Sequence, residues 1–463
     1  MATSGSAASS SEAWGKLVVE AGGSLRSDLV ELCDFVGGDT GRGVRAVKDI
    51  KAGTVLVEAP LGCLVTKQNL IADEGLLIPG SEHSKVRKAF KFADKVLDET
   101  DLLAVFLMWA RQPQNQTHLS SAFVEYLGLL PEVEAGPAPL NQSMFWTEEE
   151  LDLIQGTDSY QIAMQLKTQV RGDFGKIVGE VLLKYPEHFP LDGGFTYREY
   201  KWALGILWSR GMDFQKVDKS TFRAMVPFAD MFNTDFKGPV SHTYVISSRT
   251  VQLKANRDYK AGDQVFINYT PTSSTRLLQL YGFVMRPPAN EDHECVQLWA
   301  PMDPNAPRYA EVKKQIEDVL PGCDPNRAPF LLKPSDPLPV SLLVTLHIQR
   351  GLGVPTTSSW NANVLEELQQ ALQARKAAMY NGGDRKADLA LFISNKLDSD
   401  RSRMALYVRM VETKIMDKSL ALLQNFIANL SEADGEANGE AEETPAAPPT
   451  AVANELDALE AMD

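Results

Sequence analysis

The stretch from Met225 to Val284 concentrates side chains that could do chemistry. It opens MVPFADMFNTDF, runs through TYVISSRTVQLKA to GDQVFINYT and closes LLQLYGFV. Tyr244, Tyr269 and Tyr281 stand in it as candidates, with Asp230 and Asn233 upstream. It shows no His–carboxylate couple, no P-loop and no cysteine set at metal-binding spacing. Tyrosines, one asparagine and backbone carbonyls suit a reaction that creates little charge. Transfer of a methyl group from a sulfonium to an amine is one.

Two further segments supply polar groups. In GDTGRGVRAV at 38–47, Gly41 and Gly43 allow close backbone approach to a ligand, although taken alone a tight turn entering a hairpin is the commoner explanation. No Lys-Ser/Thr follows, and a strand rather than a helix comes next, so the segment is neither a P-loop nor a dinucleotide fingerprint. In LWSRGM at 207–212, Arg210 ends a predicted helix, where a cation complements the dipole. It could equally anchor a ligand carboxylate, with Ser209 facing a reacting amine. Asp230 and Asn233, three apart, could share one face of a turn, or be an ordinary turn pair. Each tyrosine alone reads as a core aromatic. The candidates gain weight together, in this order.

The elements that must position them alternate in character. Residues 28–66 read as β, and GVRAVKDIKAGTVLVEAP, alternating on both sides of DIKAG, predicts a hairpin. Residues 82–211 read as helical. SEHSKVRKAFKFADKVLDE has apolar residues at three- and four-residue steps, TEEELDLIQ opens with a Thr147/Glu150 capping box, and SYQIAMQLKTQVRGDFGKIVGEVLLKY and TYREYKWALGILWSRG form long amphipathic helices. LLAVFLMWA at 102–110 predicts a buried helix, being too short for a membrane span. From 224 the pattern is β again. TYVISS and TVQLKA predict a hairpin through Ser248-Arg249, QVFINY a further strand, and SSTRLLQLYGF a short serine-capped helix. A β unit interrupted by more than a hundred helical residues makes 40–60 and 225–284 two halves of one site. Beyond 285–292, Pro-rich connectors lead to helices. Met404, Val408, Val411, Ile415, Leu422, Phe426 and Leu430 trace one face of the last. No internal repeat is evident.

Bulk numbers exclude several classes. At 463 residues the chain can hold two or three domains. Net charge is −15, of which ten acidic residues and no Lys or Arg fall in 431–463. That balance argues against nucleic-acid binding and fits, loosely, a protein substrate presenting a basic residue. Four scattered cysteines predict neither a disulfide framework nor a zinc site, and a reducing compartment. The Ser/Ala-rich start, lacking Arg until Arg26, reads as a disordered cytosolic extension or, alternatively, as a plastid transit peptide.

Taken jointly, GRGVRAVKDIKAG, WSRGM, VPFADMFNT, GDQVFINYT and LLQLYGFV resemble the SET-domain protein methyltransferases of the Rubisco large-subunit methyltransferase type. The resemblance covers roughly 28–430. It implies an α+β chain: an N-terminal extension at 1–27, a SET domain at 28–284 with a helical insertion at about 67–211, an all-α substrate-binding domain at 300–430, and an acidic disordered tail at 431–463. It implies S-adenosylmethionine as cofactor, the side-chain amine of a protein lysine as acceptor, no metal, no membrane, and a monomer in cytoplasm or plastid stroma. By the same resemblance Thr40, Gly41, Arg42 and Gly43 line the cofactor pocket, Arg210 contacts the cofactor and Ser209 the amine. Asn233 holds the cofactor within a knot-like crossing, and Asp230 sits by the lysine through its main chain. Tyr269 is catalytic, and Tyr244 and Tyr281 wall the lysine channel. Relatives read Asn-His where this chain has Asn233-Thr234, so Thr234 serves the cofactor if main-chain contacts suffice there. Two alternatives stand beside this expectation. One is histidine as acceptor, which Tyr281 disfavours; the other is a silent module that binds a partner through its helices.

Overall fold

The computed structural model describes residues 15–35, 41–72, 76–77, 83–133, 139–191, 194–216, 218–356 and 359–436. Thr40 and the tail beyond 436 lie outside the described residues. The chain divides into two compact units, residues 1–293 with 397–408, and residues 294–396 with 409–463.

In the first unit, strands from both ends of the expected β unit interleave. They are β1 (Ser24–Leu25), β2 (Val30–Phe35), β3 (Gly41–Ala46) and β4 (Val55–Pro60), then β5 (Gly211–Gln215), β6 (Thr221–Met225), β7 (Asn233–Thr234), β8 (His242–Val245), β9 (Thr250–Lys254) and β10 (Gln264–Ile267). One sheet runs β1-β4-β9-β8, a second β2-β3-β10-β7, and β5 pairs with β6. Ordered structure begins before residue 28: Leu17 and Val18 are buried and β1 pairs with β4.

The predicted β3–β4 hairpin does not form. Its two strands enter different sheets, and each takes a partner from the other half: Val44 opposite Val265, Val57 opposite Leu253. The intervening turn pairs instead with the β9–β10 connection, Ile50 bridging Tyr259. A pentapeptide Asp-x-Lys-Ala-Gly occurs in both connections, at 49–53 and 258–262, and the two copies clasp reciprocally. Asp258 accepts from the Ala52 N–H (2.9 Å) and pairs with Lys51 (2.7 Å). Asp49 accepts from the Ala261 N–H (3.0 Å) and pairs with Lys260 (2.7 Å). Gly53 and Gly262 close the turns at φ 83° and 92°, which a side chain would resist. The β8–β9 hairpin forms as expected, Val245 opposite Thr250.

Between β4 and β5 lies the helical insertion, most of its helices started by side-chain caps. They are α1 (Lys67–Ile71, cap Thr66), α2 (His83–Ala93), α3 (Glu99–Arg111, cap Asp98), α4 (Ser121–Leu129, cap Ser120), α5 (Glu148–Asp152, the Thr147/Glu150 box), α6 (Asp158–Glu180, cap Thr157) and α7 (Tyr197–Arg210, cap Thr196). Every residue from Asp101 to Ala110 of α3 is buried, so this apolar run is a core helix. The helix α8 (Ser274–Leu280) starts on Ser273, as its sequence predicts.

The second unit is helical: α9 (Tyr309–Val319), α10 (Val340–Gln349), α11 (Ala362–Ala377), α12 (Arg385–Ser394) and most of α13 (Asp400–Glu436), with one two-stranded ribbon, Val296–Leu298 against Phe330–Leu332. Its core gathers Leu342, Leu365, Leu372, Ile415, Met416 and Leu423. The apolar face of α13 is shared out: Met404 and Val408 join a first-unit cluster, Val411, Ile415, Phe426 and Leu430 the second-unit core.

Candidate active site

The last turn of α7 runs straight into β5, so Ser209 and Arg210 are set where a rigid helix meets a sheet ribbon. A cavity of about 140 Å³ opens there, lined by Ser209, Arg210, Asp230, His242, Tyr269 and Tyr281 among others. Helix α7, the turn before β7, strand β8 and the segments after β10 and α8 all reach it. The lining residues all come from the last turn of α7 onward, from Ser209 to Tyr281.

Tyr269 follows β10 directly, and three contacts fix it. Its hydroxyl donates to the Phe232 carbonyl, its N–H donates to Thr234 Oγ1 at 3.2 Å, and its ring lies against that of Tyr281, centroids 5.0 Å apart. Burial, the largest influence, holds the Tyr269 and Tyr281 phenols above their ordinary pKa. Tyr281 ends α8, where Gly282 (φ 75°) turns the chain; a Cβ there would come within 2.7 Å of the Gln142 nitrogen. Gln142 Nε2 donates to Gly205 O (2.8 Å) and Leu280 O (3.2 Å), tying this corner to α7. Ser209 spends its hydrogen on its own helix, donating to Gly205 O at 2.7 Å, which leaves the oxygen able to accept.

Asp230 sits in the 3₁₀ turn Ala229–Met231 with a fully buried side chain. Tyr126, from α4 of the insertion, donates to its Oδ2 at 2.7 Å. Arg210 donates to its main-chain oxygen at 3.0 Å and lies 3.6 Å from Oδ2. Burial pushes the Asp230 pKa up, against the pull of the Arg210 charge and the Tyr126 hydrogen bond. Among the described residues, Asp230 Oδ1 and His242 Nδ1 are buried and find no hydrogen-bond partner. Burial also holds the His242 pKa below its ordinary value.

Asn233 belongs to a second cluster rather than to a face shared with Asp230. Its Nδ2 donates to Arg42 O (2.9 Å) and Gln264 Oε1 (3.3 Å). A Cβ on Gly43 would lie 2.6 Å from that nitrogen. The close approach that Gly43 permits is therefore met by this chain's own Asn233. Gly41 has φ 63° and pairs with Phe35; Arg42 Nε donates to Asp34 at 3.3 Å. Thr234 pairs with Ile267, and through its hydroxyl links β7 to Tyr269.

Of the residues singled out in the sequence, Ser209, Arg210, Asp230, Tyr269 and Tyr281 line the cavity, while Gly41, Arg42, Gly43 and Asn233 form the neighbouring cluster. Tyr244 is not among the lining residues. It stands edge-on to Phe222 at 5.3 Å, and His242, two residues earlier on the same face of β8, borders the cavity instead. Tyr126 and His242 were not read from the sequence. Alternation along HTYV could have raised His242 together with Tyr244. Nothing local marks Tyr126, whose partner is 104 residues away.

A split β unit with helices between its halves, and a tyrosine-walled cavity beside the end of the last of those helices, is the architecture of a SET domain. Residues 41–270 match the family model of the SET domain, and the chain carries one. It is similar to the ribulose-1,5-bisphosphate carboxylase/oxygenase large subunit N-methyltransferase of Nicotiana tabacum, 32% identical over 32% of this chain and 31% of that protein. It is also similar to the actin-histidine N-methyltransferase of Rattus norvegicus, 25% identical over 56% of this chain and 40% of that one. The chain thus spans less than half the length of these curated relatives. A solved structure of the SET domain of LSMT bound to lysine and AdoHcy superposes with a TM-score of 0.73 at 20% identity, covering 98% of this chain and 99% of that one. That likeness establishes the fold. Among the described residues no helix is long and apolar enough to cross a membrane.

Proposed function

We propose that this chain is a protein-lysine methyltransferase that uses S-adenosylmethionine. The supporting observation is the Tyr269–Tyr281 pair walling a small cavity beside Ser209, Arg210 and Asp230. The donor set fits the group: Arg210 is a permanent cation for a carboxylate, and hydroxyl and carbonyl oxygens suit a sulfonium. Arg210, Asn233 and Thr234, with 40–43, would hold it; Thr40 is outside the described residues. When bound, the cofactor supplies an activated methyl group.

The chain's residues would do the rest. A lysine amine at pH 7 requires about 4.6 kcal/mol to reach its neutral form. The two rings desolvate the amine and lower that cost, so the proton leaves to water without a base. Tyr269 is no such base, since burial keeps it a neutral phenol. With its hydrogen committed to Phe232, its oxygen is left to accept an amine N–H and point the lone pair. Orientation of this kind is worth ~7–11 kcal/mol, more than deprotonation costs. Asp230, braced by Tyr126 and Arg210, offers its main chain beside the amine. Residues 300–430 would present the protein substrate. A monomer in cytoplasm or plastid stroma fits this reading.

The test is incubation of a cell extract with the protein and isotopically labelled S-adenosylmethionine, followed by mass spectrometry of methylated peptides. Label on lysine supports the proposal. Label on histidine moves the chain to the other acceptor. No label, together with no thermal shift at saturating cofactor, would leave a partner-binding module.

A further inference from the structure

Tyr126 carries a hydroxyl that packing does not require. Its ring is fully buried on α4 beside Phe123, centroids 6.1 Å apart, where a phenylalanine would fill the same space. Burying a hydroxyl is unfavourable unless a hydrogen bond satisfies it. Burial, the largest influence, holds the phenol well above its ordinary pKa, so it keeps its hydrogen and donates. The acceptor is Asp230 Oδ2, at 2.7 Å. Asp230 in turn faces Arg210 twice. Its carbonyl accepts from Nη1 at 3.0 Å, while its carboxylate stands off at 3.6 Å, beyond hydrogen-bond length. The Asp230 side chain has no exposed surface, whereas that of Arg210 keeps 14% of its own, and Arg210 lines the cavity.

We infer that Tyr126 is a positioning residue: by holding the Asp230 carboxylate off the guanidinium, it keeps Arg210 on the cavity wall as a cation for the carboxylate of the cofactor. This rests on the S-adenosylmethionine reading of the same cavity. Without the hydroxyl, Oδ2 becomes a buried acceptor facing Nη1. A small turn of the carboxylate then closes a charge-assisted hydrogen bond and draws the guanidinium inward. A ligand carboxylate meets a retracted cation, while ligand groups that do not reach Arg210 lose nothing. One hydrogen bond between charged groups corresponds to roughly 10-fold or more in affinity.

The experiment is calorimetric titration of the full chain at pH 8 with S-adenosylhomocysteine and with its decarboxylated analogue. Wild type should bind the first more tightly. Tyr126→Phe should lose roughly 10-fold for S-adenosylhomocysteine and nothing resolvable for the analogue. A merely structural role would weaken both alike. In an Asp230→Asn background no carboxylate is left to draw the guanidinium in, so Tyr126→Phe should cost nothing further there. That comparison also decides the matter if the single variant does not fold or the analogue binds too weakly to measure. A wild-type protein that binds neither ligand overturns the cofactor reading and this inference with it. Equal losses for both ligands, no loss, or an undiminished loss in the Asp230→Asn background overturns the role of Tyr126 alone.

Discussion

Replacing Gly43 by alanine adds one methyl group where β3 faces the Asn233 side chain that reaches it from β7. The new carbon would stand 2.6 Å from Asn233 Nδ2 and 3.3 Å from a Phe35 ring carbon. The second contact relaxes with a small ring shift. The first cannot, because Asn233 is held between Arg42 O and Gln264. The amide must withdraw by about an ångström, and the Arg42 carbonyl then loses its donor. Overpacking costs about 1–3 kcal/mol and an abandoned buried acceptor about 1–3 kcal/mol. Since the displaced amide recovers part of this elsewhere, the expected loss is about 2–4 kcal/mol, read from the urea midpoint at constant m. The diagnostic comparison is a double-mutant cycle. Asn233→Ala removes the obstructing nitrogen, so Gly43→Ala made in that background should cost less than about 1 kcal/mol. Equal cost in both backgrounds would refute the steric account and return Gly43 to being an unconstrained strand glycine. Titrating each variant with S-adenosylmethionine then separates Asn233 as a brace from Asn233 as a cofactor contact.

Three further outcomes are expected. Tyr269→Phe should cut turnover far more than cofactor affinity, measured by single-turnover methyl transfer and by calorimetry; equal losses would remove Tyr269 from the chemical step. Thr234→Val leaves the Tyr269 N–H without its acceptor and should lower unfolding free energy by about 1–3 kcal/mol, with slower turnover; unchanged stability would mean that water takes the hydroxyl's place. Asp101, capped by the Tyr200 hydroxyl at 2.6 Å, has its pKa pushed up to about 6 by burial. A raised folded pKa means stability that is full below the unfolded value near 3.8 and lost as pH rises through about 6. Wild type should therefore lose up to about 3 kcal/mol across that window, whereas Asp101→Asn, which keeps an acceptor for Tyr200, should not; parallel melting-temperature profiles from pH 4 to 7 would contradict this.

Much of the fold was legible because the signals were local. Capping by Thr147 and Ser273, the buried run in α3 and the β8–β9 hairpin follow from residues within one turn of each other. The β3–β4 hairpin failed for the opposite reason. Alternation identified both strands, but their late partners lie some two hundred residues on, and the turn between them is matched by a copy of itself. The site divides likewise. Tyr269, Tyr281, Ser209 and Arg210 stand in recognisable strings, and the structure gathers them. Tyr126 has no string to stand in. Its hydroxyl matters only because α4 meets Asp230 across the core. His242 and Tyr244 share a face, and alternation cannot say which end of a four-residue strand a cavity will touch.

Pairing across the insertion has a consequence during synthesis. β3 and β4 find their first neighbours, β2 and β1, almost at once, but β10 and β9 only after the insertion has been made. At 5–20 residues per second the roughly 220 intervening residues take on the order of 10–40 s. For that time each nascent half-sheet exposes an unpaired edge, the element most prone to join another chain. Arg42 and Arg45 on β3 and Glu58 on β4 put charges along those edges. Their value to the protein is thus partly to the unfinished chain on the ribosome, whose safe waiting time the helical insertion sets.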